Sequence, residues 1–109
     1  MSADNGIYIG TFPTESGELE YRVIHAQAIE NVDYGTTQEQ DAYRSSYFGG
    51  SHVFVTSDKT SALLEASRKA DEIMNDDFCS VLEYGIQTLS FDRPLVSMTP
   101  EEIKAVLGF

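Results

Sequence analysis

The apolar residues between positions 51 and 89 change their spacing twice, and this pattern restricts the possible folds more than any other part of the chain. Residues 51–56 form a short segment rich in β-branched and aromatic side chains, which is typical of a strand. Residues 59–75 have helical spacing, and Ser57 and Asp58 before them are N-cap candidates. Residues 80–89 indicate another strand. This order predicts a crossover unit, which is right-handed if the two strands are parallel neighbours.

The predicted helix over residues 59–75 has an apolar stripe and a charged side. The stripe consists of Leu63, Ala66, Ala70 and Ile73. Residues at these intervals share one face of a helix, and the alanines allow that face to approach a sheet closely. We therefore expect the stripe to pack on the sheet and the charged side to face solvent.

The first part of the chain predicts a β-hairpin. Residues 7–12 suit a strand, and residues 13–18 are rich in turn formers. Residues 19–25 then alternate between apolar and polar side chains, as a second strand would. Two strands joined by a glycine-containing loop form a hairpin.

The last eleven residues predict a short helix. Thr99, Pro100 and Glu102 combine an N-cap, a proline at the first helical position and a capping box. A helix this short is unstable alone, so it must pack on another element, and we expect it at the rim of the sheet with Phe109 as an anchor.

The length and composition indicate one domain. A chain of 109 residues, 41% of them hydrophobic, can form one core. The sequence thus predicts a single α+β domain over residues 1–109. Its architecture is a two-layer sandwich: a mixed sheet of about four strands, one main helix packed on one face and a short C-terminal helix.

The charge limits the possible partners. With 18 acidic and 7 basic residues the net charge is −11, which repels nucleic acid and anionic lipid. Two interpretations of the acidic surface stay open: it serves solubility alone, or it attracts a protein with a basic surface. No secretion signal or apolar span occurs, so we expect the protein in the cytoplasm. Cys79, the only cysteine, excludes an internal disulfide and is expected to be a buried, unreactive thiol.

Residues 26–50 have no sustained period, which is unusual for a stretch of this length in a small domain. Thr37 and Gln40 have capping-box spacing, so residues 38–46 predict a helix of two turns. Ala28, Ile29 and Val32 would hold the start of the stretch against the core.

The same stretch supplies the predicted partner-binding residues. They are Tyr34, Tyr43, Arg44, Tyr47 and His52. Tyrosine combines a large apolar area with a polar tip, the profile of a recognition residue. The alternative is that Tyr43 and Tyr47, which are four residues apart, pack the short helix onto the sheet.

The sequence contains no pattern that indicates catalysis. It has no nucleophile elbow and no phosphate-binding loop, and the adjacent carboxylates would point apart on a helix. His25 and His52 with Glu30 or Asp33 would be the nearest approach to a zinc site, but no pair has ligand spacing. We therefore expect neither an enzyme nor a bound metal or cofactor. An alternative use of basic residues is a small-ligand site for a nucleotide-like molecule, with Arg22, His25 and Arg44 as ligand-binding residues.

Four segments of the chain carry a resemblance to a known class of proteins. They are residues 2–9, 21–31, 47–50 and 81–86. In these segments the chain resembles short uncharacterised accessory proteins of tailed bacteriophages. The resemblance implies a viral protein that acts in the bacterial host cytoplasm, where such products often bind and inhibit a host or defence protein.

The functional expectation is therefore a small acidic non-catalytic binding protein, a phage-encoded inhibitor or modulator. Two alternatives stay open: a protein that binds or sequesters a small ligand, and a structural or homo-oligomeric accessory subunit.

Overall fold

A computed structural model describes residues 5–27, 29–75, 82 and 84–108. Within these residues the elements follow one another as β1 (Asn5–Pro13), β2 (Leu19–Gln27), α1 (Thr37–Phe48), β3 (Phe54–Thr56), α2 (Lys59–Met74), β4 (Ile86–Ser90) and α3 (Pro100–Leu107). The predictions for Ala28, for Cys79, for residues 80, 81 and 83 of the expected strand, and for Phe109 lie outside the described residues.

The four strands form one mixed sheet in the order β3-β2-β1-β4. β1 and β2 are antiparallel, as are β2 and β3, while β4 runs parallel to β1. The predicted hairpin is confirmed; in its turn Thr14 N–H donates to the Glu18 carbonyl (2.9 Å), and Gly17 has a left-handed φ of 89°. The α+β class and the mixed sheet of four strands are confirmed as well.

β1 is buried on both of its faces because helices lie on both sides of the sheet. Ile7 and Ile9 point towards α2, whereas Tyr8 and Phe12 point towards α1. On the α1 side the rings of Phe12, Phe48 and Phe91 have centroids 4.6–5.8 Å apart. The helix predicted for one face is therefore joined by α1 on the other.

α2 packs on the sheet through its small residues. Asp58 caps it by accepting from the Ser61 N–H (3.0 Å). Ala62, Ala66 and Ala70 are buried, but Leu63 is 47% exposed. The predicted stripe is wrong at Leu63. The alanines, at intervals of four residues, let α2 approach the sheet most closely along their own row, so Leu63 lies beside the contact instead of in it.

The predicted crossover unit is present, since β3 and β4 are parallel and α2 joins them, but the two strands are not neighbours because β2 and β1 lie between them. One further prediction about packing is wrong. α3 begins at the predicted capping box of Thr99 and Glu102, but it packs against α1 and not against the rim of the sheet. A hydrogen bond from the Met98 N–H, just before α3, to Ser45 Oγ on α1 (2.9 Å) helps to fix this position.

Candidate protein-binding groove

The chain between β2 and α1 is irregular over residues 29–34, which we call the 29–34 loop. Asn31 adopts a left-handed φ of 66°, which asparagine tolerates better than most residues. This turn lets Val32 enter the core beside Phe48 while Tyr34 points outwards. The loop is thus anchored at its centre and exposed at its end.

Arg44 on α1 holds the 29–34 loop in place. Its Nε donates to the Val32 carbonyl (2.9 Å) and its Nη2 to the Asp33 carboxylate (3.0 Å). Its Nη1 donates to Asp92 (3.0 Å), which is the main reason that the pKa of the Asp92 carboxyl is lowered. The guanidinium also lies 4.6 Å from the centroid of the Phe91 ring.

Arg44 was predicted to contact a partner or a ligand, but in the structure it lies in the interior. It is only 4% exposed, and its donors are directed at residues of its own chain. A guanidinium has five donors and can bridge several acceptors at once. Arg44 therefore serves here as an internal clamp.

The predicted tyrosines separate into two kinds. Tyr43 and Tyr47 are partly buried against the core on the α1 side, which is the packing alternative. The Tyr47 hydroxyl also accepts from the Glu30 N–H (3.3 Å), so Tyr47 braces the 29–34 loop as well. Tyr34 is 74% exposed and is the member of this group that faces solvent.

The 29–34 loop and β4 enclose a groove of about 630 Å³, which we call the tyrosine groove. Its lining consists of Tyr8, Ile29, Glu30, Asn31, Val32, Asp33, Tyr34, Tyr84, Gln87 and Leu89. Apolar and aromatic side chains dominate this surface, and the carboxylates of Glu30 and Asp33 supply its charge. No lysine or arginine is among the described residues that line it.

Sequence reasoning missed the contribution of Tyr8, Tyr84 and Leu89 to this groove. Each belongs to a predicted strand, but only the pairing of β4 with β1 brings them to the 29–34 loop. No local signal marks such a long-range contact. His52, another predicted contact, lies in the turn before β3 at the opposite edge of the sheet and does not line the groove.

The alternative ligand site is not assembled in the structure. Arg22 lies on the α1 side, where its guanidinium donates to the Phe48 carbonyl (2.9 Å) and to Glu20 (2.7 Å). His25 is three residues further along β2 and therefore lies on the other face, near Lys69. With Arg44 buried and the other two residues on opposite faces, the three residues do not come together at one site in this structure.

His25 has an environment of its own. Asn5 Nδ2 donates to His25 Nε2 (3.2 Å), so that nitrogen carries a lone pair in this arrangement. Burial, and to a lesser degree the charge of Lys69, lower the pKa of His25 below its ordinary value of 6.5. Neutral His25 is thus favoured in the folded protein.

A second concavity, of about 800 Å³, lies between the end of α1 and α3. Serines and glycines make up much of its wall, and Lys104 is its one charged residue among those described. Within the described residues, no cluster of three or more His, Cys, Asp or Glu side chains is placed to hold a metal ion. No helix in the same part of the chain is long and apolar enough to span a membrane.

Comparison with known proteins gave no match to a family model, to a curated protein or to a solved structure.

Proposed function

We propose that this chain is a non-catalytic binding protein and that the tyrosine groove holds a basic segment of a protein partner. The observation that carries the proposal is the position of Tyr34, 74% exposed at the rim of a concave, largely apolar surface that also bears Glu30 and Asp33. An exposed tyrosine beside a groove is the usual setting of an interface residue with a large share of the binding energy.

The rigidity of the 29–34 loop supports this proposal. Arg44 and Tyr47 bind its backbone, and Gln40 Nε2 donates to the Asp33 carbonyl (3.2 Å). A loop that is already ordered loses less conformational entropy when a partner binds. The polar contacts behind the groove therefore favour binding without touching the partner.

The charge supports a basic partner. The net charge of −11 accelerates the approach of a positively charged protein. At the contact the Glu30 carboxylate favours lysine or arginine, with a smaller contribution from Asp33, whose charge Arg44 partly offsets. In the bacteriophage context that the sequence resemblance implies, the partner is a host or defence protein that this chain inhibits or modulates.

The proposal is tested by capturing partners from bacterial host lysate with immobilised protein and measuring the affinity of the purified partner by calorimetry. We expect Tyr34→Ala to weaken binding about tenfold or more, the range for truncating an interface tyrosine. Glu30→Gln should weaken it at low salt and less at high salt, because the contact is electrostatic.

Leu64→Ala is the matched control, because Leu64 is 67% exposed but lies on α2, away from the groove. Its affinity should equal that of the unaltered protein. A specific partner that binds Tyr34→Ala and Glu30→Gln as tightly as the unaltered protein would remove the tyrosine groove as the binding surface.

A further inference from the structure

β4 forms one edge of the sheet, and no strand lies on its outer side among the described residues. It has the sequence Ile-Gln-Thr-Leu-Ser, without a charge or a proline. Proteins commonly protect an edge strand with charged residues or proline, because an open edge pairs with other chains. The opposite edge, β3, is only three residues long, so β4 is the more accessible template.

The hydrogen bonds to β1 show which backbone groups of β4 face outwards. The Ile7 N–H donates to the Gly85 carbonyl and the Phe91 N–H donates to the Thr11 carbonyl, both at 2.9 Å. Because alternate residues of a strand face the same neighbour, the N–H and C=O groups of residues 86, 88 and 90 point away from β1. Their side chains are exposed, with Ile86 at 44%.

A concave surface flanks β4 on each face of the sheet. On the α1 side is the tyrosine groove, to which β4 contributes Gln87 and Leu89. On the α2 side is a smaller cleft of about 210 Å³, to which it contributes Thr88 and Ser90. Ile9 and Leu63 give this second cleft an apolar wall.

From this arrangement we propose that the partner binds as an additional strand beside β4. This inference rests on the proposed function and states how the groove is used. Backbone hydrogen bonds to residues 86, 88 and 90 supply affinity, and alternate side chains of the added strand enter the two clefts. Leu63, which leaves the buried face of α2, thereby becomes part of a binding cleft.

The charges select the occupant. Side chains directed to the α1 side approach Glu30 and Asp33, so lysine or arginine fits there, whereas the α2 side suits a valine or an isoleucine. A second copy of this chain is disfavoured because two molecules of net charge −11 repel one another. The expected occupant is an extended partner segment that alternates basic and aliphatic residues.

The first test uses amide hydrogen exchange followed by NMR on the whole chain. In the free protein the amides of Ile86, Thr88 and Ser90 should exchange rapidly, while those of Gln87 and Leu89, which face β1, are protected. If the three outward amides are as protected as their neighbours, or if light scattering shows a dimer with these amides protected, the edge is already occupied and the inference is overturned.

The second test adds a peptide probe, Val-Lys-Val-Lys-Val-Lys-Val with blocked ends. It should slow exchange at the three outward amides and bind about tenfold more tightly than the block peptide Lys-Lys-Lys-Val-Val-Val-Val, which has the same charge but cannot separate the two residue types onto two faces. Equal affinity of the two peptides, or no binding of the alternating one, would contradict strand addition.

Thr88→Pro supplies the decisive variant. It removes one outward N–H and leaves the bonds to β1 intact, and proline is tolerated at such edge positions. We expect about tenfold weaker binding of the alternating peptide, whereas the control Thr88→Ala, which keeps the N–H, should bind normally. Circular dichroism checks that both variants fold.

Methylating alternate backbone nitrogens of the peptide tests the same bonds on unaltered protein. Two such peptides are made, one methylated at the odd and one at the even positions. One of them should fail to bind, and normal binding by both overturns the inference.

The outcomes separate the two proposals. If the captured partner loses affinity for Tyr34→Ala but not for Thr88→Pro, the tyrosine groove binds the partner and strand addition is wrong. If it retains affinity for Tyr34→Ala and Glu30→Gln, the proposed function itself fails, whatever the peptide does.

Discussion

Arg44 joins three parts of the chain that are distant in sequence. It lies on α1 and binds Asp33, eleven residues before it, and Asp92, 48 residues after it. Through the Val32 carbonyl it also fixes the backbone of the 29–34 loop. A single buried cation therefore couples the stability of the fold to the shape of the tyrosine groove.

Replacing Arg44 with methionine should lower the free energy of unfolding by about 2–3 kcal/mol, because the Val32 carbonyl and the ring of Phe91 lose their partner in the interior. Asp33 and Asp92 are mostly exposed and regain water, which keeps the loss below that of a fully buried pair. Urea denaturation measures the change.

Arg68→Met is the matched control for that experiment. Arg68 is 55% exposed and pairs with Glu65 and Glu72 on the surface of α2. Its loss should cost little stability, as is usual for surface ion pairs. If both variants lose the same stability, Arg44 does not act as an internal clamp.

His25 allows a prediction about pH. Because its pKa is lowered in the folded protein, the unfolded chain binds a proton more readily, so His25 reduces stability as the pH falls below its ordinary pKa of 6.5. NMR titration of the imidazole should show a midpoint below 6.5.

Lys69→Met should raise the pKa of His25 part of the way, since burial is the larger cause and Lys69 the smaller one. Arg68→Met, which removes a cation from the same helix, should leave the midpoint in place. A midpoint at or above 6.5 in the unaltered protein would contradict the described environment of His25.

At the scale of the elements, two adjacent threonines at the start of α1 have different roles. The structure uses Thr36 and Glu39 as the capping box, one residue before the predicted pair of Thr37 and Gln40. Thr36→Ala should therefore cost about 1 kcal/mol in urea denaturation, because it removes a hydrogen bond to the Glu39 N–H. Thr37→Ala should be close to neutral. The reverse order would mean that α1 starts where the sequence predicted.

The elements that could be predicted from sequence are those with a local signal of their own. α2 and α3 begin at their predicted caps, and the hairpin has its turn formers. The error at α1 arose because glutamate and glutamine satisfy the same spacing rule, so Thr36 and Thr37 could not be distinguished. Leu63 was misplaced since a leucine looks more suitable for a core than Ala62, although the smaller side chain fits the close contact with the sheet.

The candidate site was less accessible to sequence reasoning. Of the five residues predicted to contact a partner, Tyr34 lines the tyrosine groove. Arg44 was misjudged because its acceptors, Asp33 and Asp92, are not identifiable as partners until the chain is folded. Burial of a charged residue is decided by such distant contacts, and no periodic pattern records them.

At the scale of the whole molecule, the net charge of −11 predicts a dependence on salt. Repulsion among the carboxylates destabilises the folded state, and added salt screens it. Raising sodium chloride from about 0.02 M to about 0.2 M should therefore raise the urea midpoint.

The control changes charge in the hairpin turn, where Glu15 and Glu18 are exposed. Reversing both to lysine brings the net charge from −11 to −7, since each change replaces a negative with a positive group. The salt dependence should become weaker in this variant. A midpoint that falls with salt in the unaltered protein would mean that local ion pairs outweigh the general repulsion.

The sheet is completed by a strand from the far end of the chain, since β4 pairs with β1. During translation the ribosome releases β1 and β2 long before Ile86–Ser90, so the nascent hairpin has an unpaired edge for most of its synthesis. A chain that terminates before β4 would keep the unpaired edge of β1, the strand that contains the apolar residues Ile7 and Ile9. Premature termination should therefore yield an aggregating fragment and not a smaller folded protein.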